Sequence, residues 1–206
     1  MDYVQLQINY LDWDSVTLQA RQCYEVAASH GKQIVVMEPV KGGSLAKIPQ
    51  DVERALKACR PQDSVASWAI RFAASLPQVL TVLSGMNTME QLLDNMRDME
   101  PVTSEECRVL EQAAVLIRAN TAISCTGCSY CTSHCPMQIP IPRYFAMYND
   151  YKRYPDEMWK MKPVYQETIQ SFGAASACIQ CRSCEQHCPQ NLKITDFLKN
   201  VAEAFE

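Results

Sequence analysis

Cys125-Thr126-Gly127-Cys128-Ser129-Tyr130-Cys131-Thr132-Ser133-His134-Cys135-Pro136 decides how the C-terminal part of this chain folds, and its pattern occurs twice. The second copy sets Cys178, Cys181, Cys184 and Cys188 at the same intervals and ends on Pro189. Both copies read C-x2-C-x2-C-x3-C-P, the spacing of bacterial proteins with two iron–sulfur clusters. A cubane needs four thiolates converging on a small volume. Two-residue gaps let successive cysteines of a tight turn point inward, and the fourth, beside proline, typically ligates the other cluster. The spacing therefore predicts two [4Fe-4S] clusters, one on Cys125, Cys128, Cys131 and Cys188, the other on Cys178, Cys181, Cys184 and Cys135. Zinc is the competing reading. Its sites usually split their ligands into two separated C-x2-C pairs, whereas here four cysteines fall within eleven residues, twice.

The repeat runs beyond the ligands. At a constant offset of 53 residues, His134 matches His187, Ile139 matches Leu192, Ile141 matches Ile194, and Tyr144 matches Phe197. Helical segments between the copies are expected to break at Pro155 and Pro163, and a last helix carries Phe197, Val201 and Phe205 on one stripe. The two histidines read either as polar residues at a helix start or as hydrogen-bonding groups that tune cluster potential. Cys23 and Cys107 fall on apolar helix faces and are expected to pack as small hydrophobes. With its long helical spacer, this region resembles the α-helical ferredoxin domains of succinate dehydrogenase and heterodisulfide reductase subunits.

Composition bounds the rest. A chain of 206 residues allows one large domain or two small ones. An apolar fraction of 48% is ordinary for a globular protein. The net charge of −4, with no long basic run, argues against nucleic acid. No apolar stretch approaches the ~18 residues of a membrane span, and the N-terminus has no secretion signal. Eleven cysteines at metal-binding intervals therefore point to a reducing cytoplasm rather than to disulfides.

The first hundred residues alternate strand and helix patterns. Val4–Ile8, Ile34–Met37 and Val79–Leu83 read as strands. A helix over Val16, Ala20, Cys23 and Ala27 stops at Gly31. Val65, Trp68, Ala69, Phe72 and Leu76 mark another. Asn87 and Thr88, with Glu90 and Gln91, introduce a third. Three β-α units in succession predict parallel strands covered by helices. Thr103 and Glu106 then form a capping box for a helix bearing Cys107, Leu110, Ala114 and Ile117. The fold class is α/β followed by all-α. The expected domains are residues 1–100, a connecting helix over 101–121, and a two-cluster domain over 122–206.

Val4-Gln5-Leu6-Gln7-Ile8-Asn9-Tyr10, Val36-Met37-Glu38-Pro39-Val40-Lys41-Gly42-Gly43 and Val82-Leu83-Ser84-Gly85-Met86-Asn87 resemble, in order and spacing, the sixth to eighth strands of aldo/keto reductases. The resemblance covers residues 2 to about 98, and it is specific to the branch with a C-terminal ferredoxin-type domain. It implies the last three β-α units of a (β/α)8 barrel, with a nucleotide at the C-terminal strand ends. On that basis Gln7 would meet the nicotinamide amide, and Gln91 and Asn95 would face the adenosine end. Lys41-Gly42-Gly43 would let the backbone approach a pyrophosphate, and Ser84, Gly85, Met86 and Asn87 would offer amides to an anion. A cap or loop role competes for each of these polar residues.

This sequence departs from the family's pattern in three ways. Glu38 stands where many members stack an aromatic ring on the nicotinamide. Gly85 stands where NADP-specific members place a cation, so NAD and NADP both remain open. The family's catalytic Asp, Tyr, Lys and His lie on the first four strands, for which this chain has no counterpart. The expectation is a truncated gene product, an expressed piece of a longer protein, or one subunit of a split enzyme. Such a chain would be the C-terminal part of an iron–sulfur oxidoreductase, inactive alone as a carbonyl reductase. Its partner would be a redox protein or the missing barrel half, and an open sheet edge would allow oligomers. NAD(P)H would bind in the complete protein. A flavin would be needed to couple a hydride to one-electron clusters, although no flavin signature is readable. A non-enzymatic electron carrier is the rival, as is a module whose clusters are purely structural.

Overall fold

Polar and apolar residues alternate along the first strands because a strand sends successive side chains to opposite faces. In the computed structural model, which describes residues 2–16, 18–97 and 100–206, these strands are β1 (Tyr3–Gln7), β2 (Gln33–Met37) and β3 (Val79–Val82). The C-terminal limit of the family resemblance, about residue 98, lies outside the described residues. The chain divides into two units, 1–119 and 120–206.

In the first unit the strands run parallel in the order β1-β2-β3, with Val4 opposite Ile34 and Leu6 opposite Val36. Parallel neighbours need crossovers. Helix α1 (Ala20–Ser29) supplies the first; α2 (Gln50–Cys59) and α3 (Val65–Ala74) supply the second. Ile34 and Val36 bury one sheet face against Ala27 of α1 and Ala73 of α3. On the other face Tyr3, Gln5, Gln33 and Met37 are exposed.

Two expectations fail in α1. Val16 lies before the helix and is 86% exposed, and Cys23 is exposed. At about 100° per residue, Cys23 sits roughly 60° round the helix from Ala20 and roughly 40° from Ala27, beside the buried stripe rather than on it. Helix α2 was not anticipated. It buries Val52 and Leu56, one turn apart, places Asp51 and Glu53 in its first turn, and packs on α5 (Ser104–Ala119). Helix α4 (Met89–Asn95) precedes α5. Helix α5, expected to connect two domains, belongs to the first unit.

The capping box of α5 forms as expected. The Thr103 amide donates to Glu106 Oε2 at 2.7 Å, and the Glu106 amide donates to Thr103 Oγ1 at 3.2 Å. The same carboxylate accepts from Arg71 at 3.0 and 3.2 Å and from Arg60 Nε at 2.5 Å. Glu106 and Arg71 are both buried, so the pair ties α5 to α3 through a desolvated charge.

The second unit contains α6 (Ile141–Arg153), α7 (Met158–Thr168), α8 (Ser183–Gln186) and α9 (Ile194–Phe205). Its core joins Ile139, Ile141, Tyr144, Phe145, Tyr165, Leu198, Val201 and Phe205. Pro155 separates α6 from α7 as expected, but Pro163 lies inside α7 without breaking it. The carbonyl that loses its donor there belongs to Trp159, an exposed residue where water can replace the missing N–H. Gly173 is fixed by space: a Cβ would stand 2.1 Å from the Met137 carbonyl oxygen. Among the described residues no helix is long and apolar enough to cross a membrane.

Burial alone would raise the Glu106 carboxyl, but the Thr103 amide and the Arg71 and Arg60 guanidinium groups outweigh it and lower it to about 2. An unfolded glutamate titrates near ~4.3. The pair therefore stabilises fully above that pH, and its contribution disappears as pH falls toward the folded value. Glu106→Gln leaves the buried Arg71 charge with only the Asp63 carboxylate, 3.6 Å away, and is expected to cost about 3 kcal/mol at pH 7, with a distinctly smaller loss at pH 2. Urea unfolding at the two pH values measures both; equal losses would show that charge is not what matters.

Candidate functional site

Each cysteine motif turns on left-handed residues at matching positions. Gly127 and Ser129 flank Cys128 with φ of 74° and 64°, and Gln180 and Arg182 flank Cys181 with φ of 57° and 59°. Gln138 and Asn191, after each Cys-Pro, share φ of 53° and 52°. The sequence repeat is thus a backbone repeat. A left-handed non-glycine residue costs roughly 1–2 kcal/mol, so the motif accepts strain to aim its thiols inward.

Two cavities result. One is lined by Cys125, Cys128, Cys131 and Cys188. The other is lined by Cys135, Cys178, Cys181 and Cys184. Each gathers three cysteines from one motif and the fourth from the other. Ile141 lines both, Phe145 and Ile194 complete the first, and Leu198 completes the second. The sulfurs surround space rather than a point: among the described residues, no group of three His, Cys, Asp or Glu side chains could hold a single metal ion. Four thiolates in an apolar shell are the donor set of an iron–sulfur cluster.

Burial, with the charges of neighbouring cysteines, pushes the Cys131 thiol up to about 11. Burial, with Glu185 and neighbouring cysteines, pushes Cys184 up to about 12. Both keep their protons at neutral pH without iron, and metal binding must displace them. The Gly127 amide donates to Cys125 Sγ at 3.5 Å. His134 and His187 stack face to face, with ring centroids 3.5 Å apart and planes 10° apart. Among the described residues neither ring has a hydrogen-bond partner, and the contact each makes is with the other.

In the first unit an open cleft lies at the C-terminal ends of β2 and β3. Glu38, Gly42, Ser84, Gly85, Met86, Asn87, Gln91 and Asn95 line it, together with Asp94. Two expected residues do not. Lys41 turns inward, where its Nζ donates to both Asp12 carboxylate oxygens at 2.8 and 2.6 Å. The Gln7 amide donates to Asp12 Oδ2 at 3.4 Å. Asn9 completes this buried cluster, donating to Asp12 Oδ2 and accepting from the Asp12 amide. The cluster holds the loop after β2, in which Glu38, Lys41, Gly42 and Gly43 are all left-handed.

Several polar groups of the cleft are already paired. The Asn87 amide donates to Gln91 Oε1, Thr88 Oγ1 accepts from the Gln91 amide, and Asn95 Nδ2 donates to Ser84 Oγ. The Asn87 amide, expected to be available to an anion, is therefore taken. Glu38 Oε2 is buried with no hydrogen-bond partner among the described residues. Sequence reading missed the Asn9–Asp12–Lys41 cluster. Its one visible signal is a polar Asn-x-x-Asp immediately after a strand.

The model of the aldo/keto reductase family matches residues 1–114, and that of a 4Fe-4S dicluster domain matches residues 124–192. Among solved structures, the chain is similar to aldo-keto reductase AKR11C1 from Bacillus halodurans. Its holo form aligns at 21% identity over 55% of this chain and 42% of that one, with a TM-score of 0.43. The apo form aligns at 22% identity over 55% and 43%, also with a TM-score of 0.43. The chain therefore spans less than half the length of that reductase. No curated protein matches the chain.

The crossed cavities give a test by paired substitution. Cys131→Ala with Cys188→Ala strips one cavity and is expected to leave about four irons in the other. Cys131→Ala with Cys135→Ala damages both and is expected to leave almost none. Iron and sulfide assays after anaerobic reconstitution distinguish the pairs, and the reverse pattern would mean that each motif ligates its own cluster.

Proposed function

Because the chain belongs to the aldo/keto reductase family over residues 1–114 and carries a 4Fe-4S dicluster domain, we propose that it is an iron–sulfur oxidoreductase unit holding two [4Fe-4S] clusters and part of a nicotinamide-nucleotide site. The observation that carries this reading is the pair of cavities, each with four cysteines drawn crosswise from the two motifs. When bound, each cluster would supply a one-electron donor and acceptor. Cys125, Cys128, Cys131 and Cys188 hold one, and Cys135, Cys178, Cys181 and Cys184 hold the other. Ile141, Phe145 and Ile194 keep water from the first, and the Gly127 amide stabilises negative charge on its Cys125 sulfur.

The first unit supports the last three β-α units of a closed (β/α)8 barrel. Its parallel strands lie in sequence order, and helices cover one face while the other carries polar residues. A doubly wound sheet would be covered on both faces. The cleft after β2 and β3 is the nucleotide part, as barrel ligands bind at C-terminal strand ends. Glu38, Gly42, Ser84, Gly85, Met86, Asn87, Gln91 and Asn95 would line it, while Gln7 and Lys41 would act indirectly by fixing the loop through Asp12. The outer side of β1 is an edge flanked by an apolar groove over Val4, Leu6, Val26 and Ala27. That groove suits the missing barrel half or a further copy as partner.

Hydride chemistry is not complete in these residues. The lysine at the strand ends is held by Asp12, and the Tyr10 hydroxyl is buried with no hydrogen-bond partner among the described residues. Neither Lys41 nor Tyr10 is therefore placed to protonate a carbonyl oxygen in the cleft. Nicotinamide moves two electrons at once and a cubane moves one, so coupling them needs a flavin or an external redox partner.

Anaerobic reconstitution of the chain is expected to give about eight irons and eight sulfides with broad visible absorption. The same preparation should show no aldehyde-dependent oxidation of NADPH. A zinc protein without sulfide would overturn the cluster reading, and carbonyl turnover would overturn the assignment of an incomplete active site.

A further inference from the structure

The stacked histidines occupy a special place in the repeat. His134 and His187 are equivalent under the 53-residue offset, and equivalent residues that touch each other must lie on the pseudo-two-fold axis relating the two copies. Each ring immediately precedes a crossing cysteine. His134 ends the short 3-10 turn Thr132–His134 before Cys135, and His187 follows α8 before Cys188. Cys135 lines the cavity of the second motif and Cys188 that of the first. The two chain segments that must exchange ligands thus meet ring on ring at the point of exchange.

Packing elsewhere does not explain this contact. Both histidines are exposed residues, and neither ring belongs to the buried core of the unit. What the contact fixes is the distance and register of the two Cys-Pro segments before any cluster is present. The chain that joins Cys135 to Cys188 runs through α6, α7 and the second motif, and across that gap the Gly173 amide donates to the Gln138 carbonyl at 3.3 Å; the ring stack adds a tie at the crossing cysteines themselves. Ordering such a contact without local help costs loop-closure entropy.

We propose that His134 and His187 are positioning residues that clasp the two crossing cysteines, so that the two clusters are assembled and retained as one coupled unit. The clasp works through ring-on-ring contact and needs no hydrogen bond to sulfur. Because either ring alone is useless, losing one should equal losing both. The proposal rests on the two-cluster reading above.

Reconstituted full-length chain tests it, with iron release to a chelator followed by visible absorption and the dithionite-reduced protein examined by electron paramagnetic resonance. His134→Ala and His187→Ala should each speed iron loss from both clusters by about three- to tenfold, the range of one aromatic contact. The double alanine variant should be no worse than either single one, and all three should show weakened spin coupling between reduced clusters. His134→Phe with His187→Phe restores a stack without nitrogen and should return release rate and coupling toward wild type. Replacing both by Gln keeps polar groups without rings and should behave like alanine. Multiplicative single effects, loss confined to one cluster, or rescue by Gln but not by Phe would each overturn the clasp. Phe variants that take up no iron would also count against it, provided circular dichroism shows their helices intact. Wild-type chain with only about four irons would instead overturn the two-cluster reading itself, and the clasp with it.

Discussion

Convergence of four thiolates on each of two small cavities is the constraint from which the second unit follows. A chain of L residues does not turn its side chains inward over three residues without leaving the ordinary backbone regions. The motif therefore sets Gly127, Ser129, Gln180 and Arg182 left-handed, and only one of these four is glycine. The strain is offset when thiolates bind metal, since the free energy of a metal site is also folding free energy. Proline after the fourth cysteine and a left-handed residue two positions beyond it then release the chain into α6 and α9. The ligand turns and the helices that flank them repeat together because one geometric demand is met twice.

The first unit obeys a different constraint, the satisfaction of buried charge. Glu106 caps α5 and neutralises Arg71 in the interior, so that a local helix signal and a long-range ion pair depend on one carboxylate. Asp12 plays the same double part at the strand ends. It receives Lys41 from the loop after β2 and fixes Asn9 at the end of β1. Removing one partner from such a buried pair costs more than the pair contributes. These positions define the loop geometry of the cleft more firmly than the residues that line it.

How much of this was legible depended on whether a feature is local. The cysteine intervals, the capping box of Thr103 and Glu106, and the three strands are patterns of neighbouring residues, and they could be read from the chain. Helix α2 is also written locally, in Pro49, Asp51, Val52 and Leu56, but its short apolar pattern lies between two stronger signals. The exposure of Cys23 is not legible because the apolar spacing of Val16, Ala20, Cys23 and Ala27 runs past the true start of α1 at Ala20. The inward turn of Lys41 could not be read, because its partner Asp12 lies in a different loop. The contact of His134 with His187 was encoded in the repeat, yet the sequence shows only that they are equivalent. Contact between equivalents is a property of the axis, and the axis exists only in three dimensions.

In the second unit, core and cofactor site are one object. Cys131 and Cys184, at matching positions of the two motifs, are its most buried cysteines, and they belong to the same cluster of side chains as Ile139, Ile141, Tyr144 and Phe205. Their burial raises both thiols far above neutral pH, so an iron-free unit hides two neutral, weakly polar groups where the loaded unit holds thiolates. Because no unpaired charge is buried in that iron-free state, burial of these two cysteines adds no charge penalty to helix packing. The same difference makes metal uptake release protons in the interior and turns the apolar shell of Ile141, Phe145 and Leu198 into the low-dielectric wall of a charged centre. A residue that shapes this wall therefore acts on fold and redox chemistry together, and the two effects cannot be separated by substitution at the core alone.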